Sequence, residues 1–144
     1  MKLTQISVFL ENKEGRLFDI CSLLGENDVN IRALNIAETS DYGILRMVVD
    51  KPEQALAVMK QNNIVASLTD VVGVEVEDRP GGLVEVLKIL RENQINVEYM
   101  YGFFEKLTDC ALLVFRFDNT AKATEILKDN GINIIASEAL EKEC

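Results

Sequence analysis

Histidine is missing altogether from this sequence, and with it the commonest general base and the commonest transition-metal ligand in proteins. The three cysteines, Cys21, Cys110 and Cys144, do not supply a substitute, because no pair has metal-ligand or C-x-x-C spacing. Cys21 and Cys110 read as small buried hydrophobes and Cys144 as a tail thiol. No metal and no cofactor is expected. Basic residues are also scarce: 15 Lys and Arg against 24 Asp and Glu leave a net charge of −9, with no basic block. Nucleic-acid binding is therefore disfavoured, since phosphates must be neutralised by clustered cations, and an anionic membrane surface is disfavoured for the same reason. No apolar run reaches membrane-spanning length, and the opening MKLTQISVFLENKEG is too polar for a secretory signal. A cytoplasmic, soluble protein is expected. Proline (2) and glycine (8) are sparse while 48% of residues are apolar, which excludes a disordered chain.

What the 144 residues do contain is a duplication. Residues 6–30 lie in register with 72–96 at an offset of 66: Val8 with Val74, Glu11 with Glu77, Gly15 with Gly81, Leu17 with Leu83. Leu24, Glu26, Asn27 and Asn30 match Leu90, Glu92, Asn93 and Asn96. Further on, NIVAS (63–67) returns as NIIAS (133–137), the offset having grown through a longer hairpin. Two repeats, 1–68 and 69–144, are expected.

Each repeat reads strand, helix, strand, strand, helix, strand. In the first, Ile6, Val8 and Leu10 alternate along a strand, and Leu17, Ile20, Cys21 and Leu24 form a helical stripe. Asp50 reads as the N-cap of the second helix, with Pro52 in its first turn and Glu53 completing a capping box. Asn30 and Asn96 sit where a left-handed residue would end each first helix. This order predicts an α+β fold, two tandem ferredoxin-like βαββαβ repeats with antiparallel sheets. The third strands are apolar on both faces: Leu45, Met47 and Val49 oppose Ile44 and Val48, while Leu113, Phe115 and Phe117 oppose Leu112 and Val114. Such strands are covered on both sides, and a second chain is the expected cover. A homodimer follows as an expectation.

The stretch DRPGGL (78–83) joins an alternating strand to a helix. It is neither a P-loop nor a dinucleotide fingerprint. Gly81 and Gly82 allow a tight turn, and that alone is one reading. The other uses the first amides of the helix, which point outward and favour an anion. A carboxylate would fit against the backbone N–H groups of Gly81, Gly82 and Leu83, with Asp78 accepting from an ammonium group. That pairing suits a free amino acid.

At these residues the sequence resembles a known family. DRPGGLVEVLKILRENQINVEYMY looks like the strand end, turn, helix and second strand of an ACT domain, and ENKEGRLFDICSLLGENDVNIRAL resembles it more loosely. The resemblance extends over essentially the whole chain, with no catalytic or DNA-binding domain attached, as in small free-standing tandem ACT proteins. It implies regulatory binding of a free amino acid near the meeting of ACT repeats, and side-by-side pairing into one eight-stranded sheet with helices on one face. Carried over by position, the second repeat offers Asp78, Arg79, Gly81, Gly82 and Leu83, and the first Asn12, Glu14, Gly15, Arg16 and Leu17. Asn30 and Asn96 follow as weaker transfers. Asn12 stands where Asp78 does and Glu14 replaces Pro80, so either the turns are unequal, with the second the better site, or both converge on one shared site per pseudo-symmetric pair.

Two rival functions use the same fold. An acylphosphatase-like enzyme would hold phosphate with Arg16 or Arg79, but Glu14 and Asp78 oppose it and no nucleophile–base pair is visible. RNA could stack on Tyr99, Tyr101 and Phe103, yet flanking basic residues are missing and a packed strand is the better reading. A third alternative is a ligand-free dimeric interaction module that regulates a partner, such as a metabolic enzyme, by contact. The chain is not expected to be an enzyme.

Overall fold

The computed structural model describes residues 3–38, 41–104 and 110–135. Their elements run β1 (Leu3–Glu11), α1 (Arg16–Glu26), β2 (Ile31–Glu38), β3 (Tyr42–Val49), α2 (Pro52–Gln61), β4 (Ala66–Glu77), α3 (Gly82–Glu92), β5 (Val97–Gly102), β6 (Cys110–Phe117), α4 (Thr120–Asp129) and β7 (Ile134–Ile135). The chain divides into two compact units, Thr4–Thr69 and Met1–Leu3 with Asp70–Cys144.

Within the first unit β3 lies antiparallel between β1 and β2, and the Phe9 amide donates to the Val65 carbonyl at 3.2 Å on the other side of β1. Within the second, β6 lies antiparallel between β4 and β5, and β7 pairs antiparallel with β4 at Gly73 and Val74. Each unit is thus a βαββαβ-like repeat with an antiparallel sheet. The expected eight strands are seven among the described residues. The last strand of the first repeat and the first strand of the second are one unbroken strand, β4, which runs through Asp70 and Gly73 without a turn.

Strand alternation and helical periodicity place one core in each unit. Ile6, Val8 and Leu10 of β1 meet Leu45, Met47 and Val49 of β3 under Ile20 and Leu24 of α1 and Ala55 and Met59 of α2. The second core repeats the plan with Val72, Val74 and Val76, Phe115 and Phe117, Val86 and Leu90, and Ala123 and Leu127. The Phe115 and Phe117 rings stack with centroids 5.3 Å apart. Full burial of each such large side chain contributes about 1.5–3 kcal/mol, so these two cores carry the fold. Leu17 and Cys21, read from sequence as part of the core stripe, lie further out: Leu17 is exposed and Cys21 half-buried, its thiol pKa raised by burial.

The opposite sheet face, read from sequence as needing a cover, is apolar as its pattern implied. Val48 (0% exposed), Leu112 (5%) and Val114 (0%) are already buried in the single chain. Ile44, also named on that face, is half-buried. Tyr101 is buried and Tyr99 and Phe103 half-buried, which agrees with a packed strand rather than a stacking platform for bases.

All four helices among the described residues end in the same way. Asn27, Asn62, Asn93 and Asn130 are the C-caps, and each side-chain Nδ2 donates to the carbonyl four residues back at 2.8–2.9 Å. The next residue, Asp28, Asn63, Gln94 or Gly131, is left-handed. The one after it, Val29, Ile64, Ile95 or Ile132, donates back to the third-last helical carbonyl at 2.9–3.0 Å, completing a Schellman motif. The left-handed duty assigned from sequence to Asn30 and Asn96 thus falls two residues earlier. Asn30 and Asn96 instead pair reciprocally with Asp50 and Asp118, each amide donating to the aspartate Oδ1 (2.9 and 3.1 Å). Asp50 is consequently not a helix cap: Lys51 occupies the N-cap of α2, with Pro52 opening the helix and no side-chain cap bond.

These helix ends also reset the repeat register. Ile64 corresponds to Ile132 and Val65 to Asn133, since Phe9 N–H to Val65 O recurs as Glu75 N–H to Asn133 O at 3.0 Å. The offset is 68 here, two residues short of the one suggested by NIVAS and NIIAS. The longer hairpin that causes it includes residues 105–109, outside the described residues.

Candidate functional site

The turns between the first strand and first helix of each repeat are built alike. Gly15 and Gly81 take φ values of 83° and 82°, the left-handed region open to glycine, and serve as N-caps without a side-chain acceptor. Lys13 N–H and Arg79 N–H each donate to the carbonyl two residues back (Glu11 and Glu77, 2.9 Å). Arg16 N–H donates to Lys13 O at 3.4 Å and Gly82 N–H to Arg79 O at 3.0 Å. The second turn is the tighter. Its Gly82 is buried because the chain doubles back onto the Glu77 carbonyl, whereas the equivalent first-turn residue is Arg16.

The charges around the turns differ more than the backbones. Arg79 is held on three sides: Nε by the Glu77 carboxylate, Nη2 by Glu85 Oε1 at 2.7 Å, and Nη1 by the Pro80 carbonyl at 3.3 Å. Its hydrogen bonds to the Glu77 carboxylate and then to Glu85 raise its pKa above the ordinary arginine value. A guanidinium so committed fastens the turn to the first turn of α3 and has two carboxylates opposing any incoming anion. That is a poor phosphate holder, and the acylphosphatase-like reading loses one of its two arginines. In the first repeat Lys13 binds Glu11 at 2.8 Å, and Arg16 reaches Asp19 only at 3.8 Å. The hydrogen bond from Lys13, with the fields of Lys13 and Arg16, lowers the Glu11 pKa below the usual 4.5.

Beside the first turn lies an open groove of about 380 Å³. Arg16, Asp19 and Glu11 line its charged side, and Phe9, Tyr42 and Val65 contribute apolar and aromatic surface. The first turn thus has a loosely paired arginine beside a cavity, whereas the arginine of the second, the turn that sequence favoured, is closed by two carboxylates.

Asn12, Glu14, Gly15, Arg16 and Leu17 are all exposed at this end of the first unit, with the Asn12 amide donating to the Asp41 carbonyl at 3.2 Å. Asp78, Arg79 and Gly81 are exposed at the second turn, Gly82 is buried and Leu83 half-buried. Asn30 and Asn96 are not brought to their own repeat's turn. They immediately precede the second strands, at the far end of an 11-residue helix that spans roughly 16 Å. Phe9, Tyr42 and Val65 escaped the sequence reading. The signal was present in Phe9, an apolar residue out of phase with Ile6, Val8 and Leu10 and left 59% exposed.

Among the described residues no group of His, Cys, Asp or Glu is placed to hold a metal ion, and no helix is long and apolar enough to cross a membrane.

The family model of the ACT domain pair matches residues 1–143. A crystal structure of a protein from Bacteroides thetaiotaomicron is 38% identical, with 99% of this chain and 98% of that one covered at a TM-score of 0.92. The ligand-free regulatory subunit of aspartate kinase from Thermus thermophilus is 13% identical over 90% of this chain and 93% of its own, at a TM-score of 0.63. The corresponding subunit from Thermus flavus gives 13%, 88%, 88% and 0.62. The likeness to these two subunits is one of fold. No curated protein matches the chain. The duplicated turns, the two βαββαβ-like units and the match along nearly the full length agree: this chain belongs to the ACT-domain family and is an ACT domain pair.

Proposed function

We propose that this ACT domain pair is a regulatory protein that binds a free amino acid at its strand–helix turns and couples binding to assembly or to a partner. The observation that carries this reading is the first turn: a left-handed glycine opens α1 without a side-chain cap, beside Arg16, Asp19, Glu11 and a ligand-sized groove. An α-carboxylate is served there by Arg16 and the first helical amides, and an α-ammonium by Asp19 or Glu11. Asn12, Glu14, Gly15 and Leu17 shape this site. Asp78, Arg79, Gly81, Gly82 and Leu83 line the corresponding second turn, the weaker site of the two.

Coupling follows from linkage: a ligand favours whichever arrangement binds it better, and a partner preferring that arrangement is favoured equally. The regulatory subunits of aspartate kinase share the fold, so a metabolic enzyme is a fitting partner. The role is regulatory rather than catalytic, the setting cytoplasmic, and the working form a homodimer. Thermal unfolding of the purified protein against the twenty amino acids at millimolar concentration tests the reading. A ligand at about a hundred times its Kd adds ~2.7 kcal/mol and raises the midpoint by a few degrees. A flat response across the panel defeats it.

One observation favours the ligand-free interaction module as a second reading. Phe18 on α1 and Val84 at the equivalent place on α3 are 73% and 62% exposed, so both repeats present a large apolar side chain on the same outer helix position. Under this reading Phe18→Ser with Val84→Ser abolishes partner capture, and no amino acid shifts the melting point.

A further inference from the structure

The two repeats serve as each other's control at the groove. In the second repeat, the residues equivalent to Phe9 and Val65 are Glu75 and Asn133, and Asn133 Nδ2 donates to Glu75 Oε2 at 2.7 Å. A polar pair that satisfies itself is what a solvent-facing site calls for. The first repeat keeps the same backbone hydrogen bond but replaces the pair with Phe9 and Val65, 59% and 68% exposed, beside Tyr42 at 61%. Three large apolar or aromatic side chains left in water around one groove, on a scaffold whose twin has a polar pair there, mark a surface kept for an apolar occupant.

The groove bounds that occupant. At about 380 Å³ it stands near the lower end of the ~300–1,000 Å³ typical of ligand cavities, enough for one small molecule. Its charged side carries both signs, Arg16 facing Asp19 at 3.8 Å with Glu11 close by. A bare hydrocarbon would waste these charges, and a polar amino acid would leave the Phe9–Val65–Tyr42 surface wet.

Resting on the amino-acid reading above, we infer that the first repeat selects an amino acid with a bulky apolar side chain, aromatic or branched aliphatic. Arg16 and Asp19 take its zwitterionic head, and Phe9, Val65 and Tyr42 cover its side chain. The second repeat, with Glu75 bonded to Asn133 and Arg79 closed by two carboxylates, does not bind that ligand.

The test is calorimetric titration of the full chain with phenylalanine, tyrosine, leucine, isoleucine, glycine, serine, aspartate and lysine. Binding by an aromatic or branched amino acid, with the small and charged ones at least about tenfold weaker, is expected. Phe9→Glu with Val65→Asn, which copies the second repeat's pair into the first, should lower that affinity at least about tenfold, while Glu75→Gln leaves it unchanged. Circular dichroism and the melting midpoint establish that the double variant is folded, and Tyr42→Ser alone serves as a milder second variant. Tightest binding by glycine, serine, aspartate or lysine overturns the side-chain class and leaves amino-acid sensing standing. Absence of binding by any of the eight defeats the inference, and the full panel of twenty then decides whether amino-acid sensing falls too. A double variant that keeps its affinity but sediments as monomer where the parent is dimer also overturns it, because the apolar surface is then a contact between copies.

Discussion

A Cβ on Gly82 would come within 2.0 Å of the Glu77 carbonyl oxygen. The residue is fixed by the folding of the turn alone, whatever the turn binds. Gly82→Ala must push the Glu77 carbonyl aside and should cost about 1–3 kcal/mol, as overpacking does. Gly81→Ala meets only the flexible Arg79 guanidinium, at 4.0 Å, but holds a φ of 82°, so about 1–2 kcal/mol is expected. Urea denaturation of both variants checks the order; Gly82→Ala as stable as the parent would show that the turn relaxes freely.

The helix ends give predictions of opposite sign. Gln94 holds a left-handed conformation at φ 57° where Gly131 does so at 77°. Gln94→Gly should stabilise the protein by about 0.5–1 kcal/mol, and Gly131→Ala should destabilise it by about 1 kcal/mol. Melting midpoints that both fall would mean that the Gln94 side chain does more than tolerate its backbone.

The two turn arginines should behave differently in binding. Arg16→Ala is expected to weaken amino-acid affinity by about 1.5–3 kcal/mol, the range for hydrogen bonds to charged groups. Arg79→Ala should leave it nearly unchanged, because Glu77 and Glu85 already occupy that guanidinium. Titration calorimetry of the two variants decides, and the reverse pattern moves the site to the second turn.

Glu11 ties the first turn to pH. The Lys13 hydrogen bond depresses its pKa, so the unfolded chain takes up the proton first as pH falls. Its stabilising contribution is present above pH 4.5 and is lost as pH falls through the lower folded value. Denaturation midpoints measured between neutral and acid pH should fall less steeply for Glu11→Gln than for the parent. Equal slopes would mean that the Lys13 contact is not kept in solution.

Much of this architecture was legible because alternation and helical periodicity are local. Ile6, Val8 and Leu10, then Leu45, Met47 and Val49, entered the core on the faces that their spacing implied. Errors arose where one local signal had two users. Asp50 has the right place for an N-cap, yet its carboxylate accepts from Asn30, brought near by the pairing of β2 with β3. NIVAS and NIIAS matched as strings while their backbones correspond two residues apart, because the helix ends and not the letters set the register. At the turns, sequence located the strand–helix connections and did not foresee the side-chain partners. Nothing in DRPGGL says that Arg79 will be closed by Glu77 and Glu85, and Phe9 becomes informative only beside Tyr42 and Val65.

The fourfold helix ending bears on how the chain is made. Each stop is written within about six consecutive residues, such as Leu24 to Val29, and needs no strand or second repeat to complete it. A helix forms within about a microsecond, whereas a ribosome adds only ~5–20 residues each second. By the time β3 emerges to pair with β1 and β2, α1 can already be closed at its C-terminal end. The nascent chain would then present its sheet with helices of fixed length, and register errors would have to arise in the strands.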